Sequence, residues 1–165
     1  MKSEFKIQMT TGAMYKFLMY HTYHKFSGFF SIVLGLVLIG FYLSPSGRST
    51  QNSLVYLVFG ILFLLYEPWT LYTKAAQQAK LNPVFKKPLT YIAAEEGIQV
   101  VQDEASSELS WDNVYKVRET AQSILVYTNT KNAFIWIKKQ MGAEEATVRA
   151  LIRAHVPAAK CKLKK

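Results

Sequence analysis

Few residues of this chain combine the type and the spacing that catalysis or metal binding requires. His21 and His24 lie three residues apart, so a helix would place both imidazoles on one face, where they could share a metal ion. No carboxylate or thiol nearby in the sequence completes such a site. We therefore interpret both histidines as side chains that reach from a helix toward a membrane surface.

The remaining candidate groups do not require a catalytic or metal site either. Asp103, Glu104 and Glu108 cluster in one polar segment, which a solvated turn explains without a metal ion. Cys161 is the single cysteine, so no disulfide framework exists, and it is expected to be an inert thiol. No glycine-rich phosphate loop or nucleophile elbow is present. We expect no enzyme, no metal, no cofactor and no small-molecule substrate.

Two long apolar segments dominate the first half of the chain. Phe26 to Leu43 reads FSGFFSIVLGLVLIGFYL and Leu54 to Tyr66 reads LVYLVFGILFLLY, both without charge. Eighteen helical residues extend about 27 Å, close to the roughly 30 Å hydrocarbon thickness of a bilayer. The sequence predicts a transmembrane hairpin over 26–72, with spans at about 26–43 and 52–70. The alternative is a pair of buried helices in a soluble core.

The lysines indicate the orientation. Lys2, Lys6, Lys16 and Lys25 precede the first span, whereas only Arg48 lies in the connecting loop. Basic residues favour the cytoplasmic side, so both termini are predicted to be cytoplasmic and the protein to be a multi-pass protein of the cell membrane. The net charge of +9 then suits a membrane surface. No recognition fold for nucleic acid is apparent, so we expect no nucleic-acid partner.

Small residues recur within the first span. Gly28, Ser31 and Gly35 share one helix face, and Gly60 of the second span is a plausible contact. Small side chains let two helices approach closely, so we predict packing within the hairpin. The same face is also suited to the helix of another protein.

Glu67 and Trp69 follow the second apolar segment. A charge is costly at the bilayer centre and much less so at its edge, so Glu67 is predicted at the cytoplasmic boundary. It either faces headgroup water or pairs with Lys25 or His24. Trp69 is an expected interface anchor.

The segments outside the hairpin divide into four parts. Residues 1–25 are predicted to hold a strand and an interfacial helix, capped by Thr10 and Thr11. Residues 73–87 are a basic juxtamembrane helix and linker. Residues 88–157 alternate with period two and then turn helical, which predicts an antiparallel β domain closed by a C-terminal helix. Residues 158–165 are a basic tail, expected to be disordered.

The segment LSWDNVYKVRET, residues 109–120, interrupts the strand pattern. Leu109 and Trp111 begin an alternation that Asn113 breaks, and Val114 and Val117 resume the apolar role. Asp112 and Asn113 suit a bulge or one helical turn between two strand pieces. Trp111 is therefore predicted to be a core residue beneath the terminal helix.

These segments resemble a known family. PLTYIAAEEGIQVV, SSELSWDNVYKVRET, SILVYTNTKNAFIWIKKQM and the closing helix resemble the YcxB-like family of small bacterial membrane proteins, and the likeness extends to MTTGAMYKFLMYHTYHKFSG. The resemblance implies a pair of transmembrane helices followed by a domain similar to pleckstrin-homology (PH) folds, a small curved sheet closed by one helix. It implies no assigned reaction.

Two functional hypotheses follow. The first is a non-enzymatic, membrane-anchored interaction module that binds a protein partner or forms a homo-oligomer. The second is a module that binds anionic lipid headgroups through basic juxtamembrane residues, Lys74, Lys80, Lys86 and Lys87, with Lys138 and Lys139 as further candidates. A small oligomeric transport accessory is a third class, which rests on Glu67 alone.

Overall fold

The chain folds into two compact units. The structure is a computed structural model that describes residues 1–24 and 26–164. Met1–Ala13 and Ala79–Lys165 form one unit, the sheet unit, and Met14–Gln78 form the other, the helical unit. The sheet unit includes the predicted β domain of 88–157 together with the N-terminal strand and the tail.

The helices of the described chain include the predicted ones and three short ones that the sequence did not predict, over 45–48, 83–86 and 138–141. Thr10 caps the first, since its hydroxyl accepts a hydrogen bond from the Ala13 amide at 3.1 Å. The fourth continues through Pro68 without interruption over 28 residues. The helices are α1 (Thr11–Tyr23), α2 (Phe26–Leu43), α3 (Pro45–Arg48), α4 (Leu54–Leu81), α5 (Pro83–Lys86), α6 (Lys138–Met141) and α7 (Glu144–His155).

The strands form two four-stranded sheets, both within the sheet unit. The first sheet has the order β1-β2-β3-β4 and the second the order β7-β6-β5-β8. All neighbours are antiparallel except β5 and β8, which run parallel. The strands are β1 (Ser3–Ile7), β2 (Leu89–Ala93), β3 (Gly97–Gln102), β4 (Ala105–Ser110), β5 (Lys116–Glu119), β6 (Ser123–Tyr127), β7 (Ala133–Ile137) and β8 (Cys161–Lys162).

The N-terminal strand is an integral part of the first sheet. Its alternating pattern buries Phe5 and Ile7 and exposes Glu4 and Lys6, as period-two patterning requires. Phe5 lies opposite Tyr91 of β2, and the two rings stack with centroids 5.7 Å apart. A strand of five residues that is distant in the sequence from its partner therefore completes the domain.

The hairpin of β3 and β4 differs from the sequence prediction. The polar segment that holds Asp103, Glu104 and Glu108 was interpreted as a solvated turn, but the turn is limited to Asp103–Glu104, where Asp103 has φ 52°, and pairing resumes at Ala105. Serine-rich ASSELS has weak strand propensity, and its register with β3 overrides that preference. At Gly97, a Cβ would stand 2.5 Å from the Leu109 carbonyl oxygen, so this close approach requires glycine.

Trp111 begins a single 3₁₀ turn, Trp111–Asn113, between β4 and β5. Of the bulge and the helical turn that the sequence left open, the structure has the helical turn, and the predicted burial of Trp111 is confirmed. Its indole N–H donates to the Ala94 carbonyl oxygen at 2.8 Å, and its ring stacks on His155 at 5.7 Å. Trp111 therefore ties the β2–β3 turn to the end of α7.

One apolar core lies between the two sheets and α7. Val148, Leu151 and Ile152 of α7 are fully buried, as the helical pattern predicted. Trp136 of β7 meets Phe5 of β1 edge to face at 5.3 Å, so the two sheets contact through their aromatic residues. The Trp136 indole N–H has no hydrogen-bond partner among the described residues, and the rings around it supply weaker contacts.

The tail does not match the prediction of disorder. Cys161 and Lys162 pair with Val117 and Arg118 of β5, and Cys161 and Leu163 pack against the core. The Val117 amide donates to the Lys160 carbonyl oxygen at 2.9 Å. The alternation of Cys161 and Leu163 with lysines is a strand pattern, which the high lysine content obscured.

Truncating the buried face of β1 should destabilise the sheet unit. We expect Ile7→Ala to lower its free energy of unfolding by about 2–5 kcal/mol, because a fully buried side chain is lost. Urea unfolding is followed by fluorescence in a Trp69→Phe background, where Trp111 and Trp136 report on this unit. Glu4→Ala, on the exposed face of the same strand, is the control and should change stability by less than about 0.5 kcal/mol. Equal effects of both variants would mean that β1 does not belong to the core.

Candidate functional site

Three of the four predicted juxtamembrane lysines belong to the sheet unit. Lys80, Lys86 and Lys87 are exposed at the end of α4 and in and after α5. Asn82 caps α5, its side-chain oxygen accepting from the Val84 amide at 3.0 Å. Leu81 and Val84 are also exposed, 71% and 45% respectively, so cationic and apolar side chains share this segment.

The predicted lysines differ in their surroundings. Lys74 is exposed on α4 within the helical unit. The Lys87 ammonium pairs with Asp103 at 2.7 Å, in an exposed contact that contributes little to stability. Lys138 pairs with Glu119 and is 18% exposed, so it is not available to a headgroup, whereas Lys139 is exposed.

Small residues bring α2 and α4 into contact within the helical unit. A Cβ on Gly35 would stand 3.0 Å from the Gly60 carbonyl oxygen, and one on Gly60 would stand 2.6 Å from Ile39. Gly28 instead faces the Thr22 carbonyl oxygen of α1, where a Cβ would stand 2.6 Å away. Ser31 is half-buried. Gly35 and Gly60 thus lie where the two helices approach closely.

Glu67 and Trp69 lie in the middle of α4. Glu67 is half-buried, and its predicted pairing with Lys25 falls outside the residues that the structure describes. Trp69 is 70% exposed. An open apolar groove of about 620 Å³ runs along this part of the helix, and it is lined by Tyr15, Leu62, Leu65, Tyr66, Pro68, Trp69 and Tyr72.

The apolar side chains of α4 are largely uncovered. By length and composition α4 is able to cross a membrane, and 11% of its most apolar stretch is buried. The predicted first span does not meet the criterion of length and hydropathy by itself. α1 and Gly28–Leu43 meet it only together, as one span bent by 78°. The structure therefore supports one spanning helix directly, where two were predicted.

A buried carboxylate joins four elements of the sheet unit. Glu119 at the end of β5 is 2% exposed and accepts two hydrogen bonds from the Arg149 guanidinium of α7, at 2.6 and 3.0 Å. The Lys138 ammonium of α6 is a third donor. The Lys164 amide of the tail donates at 2.6 Å. Glu145 accepts from Arg149 at 2.8 Å, one helical turn away.

These donors determine the charge of Glu119. Burial by itself would raise the pKa of Glu119, but the hydrogen bonds from Arg149, Lys138 and the Lys164 amide outweigh it and lower the pKa to about 2. The same pairing raises the pKa of Arg149 above its ordinary value. A carboxylate that is ionised and fully occupied by donors is a poor general base. The cluster therefore holds elements together.

His21 and His24 contact groups of their own segment of the chain. Among residues 1–24 and 26–164, no group of three or more His, Cys, Asp or Glu side chains has an arrangement that would hold a metal ion. The His24 ring bonds to the Tyr20 carbonyl oxygen at 2.8 Å, and the His21 ring stacks on Phe17 at 5.9 Å.

The Glu119 cluster was not predicted from the sequence. One signal was present: Glu145 and Arg149 have the i, i+4 spacing of a helical ion pair. Glu119 itself occurs in a strand between basic and polar residues, which is typical of a solvated edge. Its burial depends on the tail and on α7, which are distant in the sequence.

Part of the sheet unit matches a known family. Residues 94–152 match the family model described as YcxB-like protein. These residues, the YcxB-like domain, are similar to that family. The resemblance predicted from the sequence is thus confirmed for these residues, and the match does not extend to the segment before the first span. A search of curated proteins finds no match.

The YcxB-like domain covers only part of the folded unit. The matched residues include Glu119, Lys138 and Arg149, whereas β1, the tail and the basic segment around α5 lie outside the match. The covalent neighbours of the domain therefore supply strands to both sheets.

Adding a side chain where α2 meets α4 should weaken the helical unit. We expect Gly60→Ala to destabilise it by about 1–3 kcal/mol, because the methyl group would overlap Ile39. Thermal unfolding of the detergent-solubilised chain by circular dichroism measures this. Gly40→Ala is the control, because a Cβ there meets nothing within 4 Å. If both variants melt alike, the close contact of the two helices is absent in solution.

Removing the buried carboxylate should destabilise the sheet unit in a pH-dependent way. A folded-state pKa near 2 against an ordinary value of 4.5 corresponds to about 3 kcal/mol, present at pH 7 and lost as the pH falls from about 4.5 to 2. Glu119→Gln should therefore lose about this much at pH 7 and show a flatter acid limb in urea unfolding. Glu145→Gln, which removes the more exposed carboxylate, should cost less than about 1 kcal/mol. A steep acid limb in Glu119→Gln would assign the effect to another carboxylate.

Proposed function

We propose that this protein is a non-enzymatic, membrane-anchored interaction module. A transmembrane hairpin holds a PH-like sheet unit on the cytoplasmic face of the cell membrane, and the sheet unit acts by binding. The observation that carries the proposal is the pairing of β1 with β2 on either side of the apolar segments.

That pairing limits the number of membrane crossings. Residues Met1–Ala13 and Ala79–Lys165 form one compact unit, so they lie on one side of any membrane. The segment between them must then cross an even number of times. If α4 crosses, a second crossing has to come from α1 and α2, and 18 residues of α2 extend about 27 Å. This favours the hairpin over a single span.

The uncovered apolar surface favours a membrane over a soluble core. Both α2 and α4 expose large apolar side chains, which a soluble monomer rarely does over such lengths. Lysines outnumber acids near the start of α2 and the end of α4, whereas the loop holds only Arg48. This distribution favours a cytoplasmic sheet unit.

Binding of anionic lipid headgroups is a second candidate. The segment around α5 combines exposed Lys80 and Lys86 with exposed Leu81 and Val84. Cations beside apolar side chains suit the boundary between headgroups and acyl chains. Lys87 contributes less because it is paired with Asp103.

Single cysteines test the hairpin in intact cells. In a Cys161→Ser background, we expect a membrane-impermeant thiol reagent to label Ser46→Cys in the loop and to leave Lys2→Cys and Lys160→Cys unlabelled until the cells are opened. The chain should remain in the membrane fraction after a high-salt wash and be released by detergent. Labelling of Lys2→Cys or Lys160→Cys from outside would overturn the orientation, and recovery in the soluble fraction would overturn the anchor.

The same detergent extract separates the two candidate functions. A specific co-purifying protein supports the interaction module. Enrichment of anionic phospholipid, measured by mass spectrometry and lost in Lys80→Gln/Lys86→Gln but not in Lys131→Gln, supports headgroup binding. Recovery of the chain with neither a protein nor an enriched lipid would contradict both.

A further inference from the structure

Both sheets of the sheet unit end in an edge strand without a neighbour. β4 is the last strand of the first sheet and β8 the last strand of the second, with no further strand beside either among the described residues. At the other end of the first sheet, β1 is contacted by α6 and α7, because Ser3 bonds to Glu144 and the Gln8 amide donates to the Gln140 side chain. The open edge of a sheet offers main-chain groups with which a further strand can pair. In β8 the Cys161 amide already donates to the Pro157 and Ala158 carbonyl oxygens, at 3.1 and 3.2 Å, so this edge offers a partner mainly its lysine side chains.

The two open edges carry opposite charge. Every charged side chain between residues 88 and 115 is acidic, and every charged side chain from 146 to 165 is basic. On and beside β4, Glu104 and Glu108 are exposed, and the Glu108 carboxylate has only a weak contact of 3.4 Å from Gln99. Next to and on β8, Lys160 and Lys162 are exposed, and the ion pairs of the described residues do not include them.

The side chains of β8 are arranged for a contact in trans. Cys161 and Leu163 face the core, so the lysines that alternate with them face outward. The Lys164 main chain is held by hydrogen bonds to Glu119, Arg149 and Arg153. These bonds fix the tail and leave the side chains of its lysines exposed. A groove of about 510 Å³ crosses β2, β3 and β4, and its charged lining residues are Glu96, Glu108 and Lys2.

We propose that the acidic edge of β4 in one copy of this chain docks the basic edge of β8 in a second copy. The occupant is identified by charge complementarity, since the edge that complements β4 is present on the same chain. The inference rests on the proposed function in one respect, because the hairpin would place all sheet units on one side of one membrane. It deepens that function by naming the partner as a second copy.

The geometry of this contact is head to tail. β4 and β8 are different surfaces, so each copy retains one free edge of each kind, and association yields open chains of copies rather than closed dimers. β8 has two residues, so the main-chain pairing is short and the charges carry much of the affinity. Such a contact weakens as salt rises.

Charge reversal tests the contact in the full-length, detergent-solubilised chain. Sedimentation velocity should show association of the wild-type chain that grows with concentration and falls as the salt concentration is raised. Glu104→Lys/Glu108→Lys and Lys160→Glu/Lys162→Glu should each weaken association by about tenfold or more, which is at least about 1.4 kcal/mol. A mixture of the two variants should associate again, because each reversed edge then meets its complement. Glu4→Lys and Lys131→Glu are matched controls that should associate as wild type does.

Each outcome decides whether the two edges meet. A wild-type chain that stays monomeric over the concentration range overturns the proposal, as do reversal variants that associate normally. Variants that fold, by their tryptophan fluorescence, but do not associate when mixed also overturn it, and would point to another basic ligand of β4. Membrane fractionation of the same variants is scored independently, so loss of the anchor is distinguished from loss of the edge contact.

Discussion

The antiparallel ladder between β1 and β2 is the constraint on which the rest of this structure depends. It joins residues 3–7 to residues 89–93 across both apolar segments. The buried face of β1 then completes the core through Phe5 and Ile7, which are 4% and 0% exposed. Because the ladder fixes both ends of the helical segment to one folded unit, the intervening chain has to leave and return. The pairing of one five-residue strand thereby restricts the topology of the whole chain.

The Glu119 cluster shows how the second sheet is completed. A buried carboxylate is costly unless charged donors compensate it, and here they come from α6, α7 and the tail. The pairing is therefore cooperative: the Glu119 carboxylate stays buried only while the tail lies on β5, and the tail main chain is held only while Arg149 and Glu119 are paired. This explains why a lysine-rich terminal segment, which has little apolar surface, is an ordered strand.

Sequence reasoning succeeded where the signal is local. The alternation in 89–102, the turn at Asp112 and the apolar stripe of α7 each depend on neighbours within a few residues, and their elements were predicted. It failed where the deciding contact is distant. β4 is a strand because β3 lies beside it, the tail is a strand because β5 does, and Glu119 is buried because Arg149 covers it. The same distinction applies to the candidate site. Lys80 and Lys86 were predicted from the basic composition of their segment, whereas the role of Glu119 became visible only in the folded structure.

The charges of the sheet unit are divided between the two edge strands. If the unit lies beside an anionic membrane, as proposed, that surface would attract the basic segments near α5 and the tail and repel the acidic β3–β4 hairpin. Exposed strand edges promote uncontrolled association unless charge restricts their partners. Like edges repel here, because β4 meets β4 with acidic side chains and β8 meets β8 with lysines. Only the pairing of β4 with β8 avoids the repulsion between like charges. Charge on the open edges therefore selects a partner, and does not only prevent aggregation.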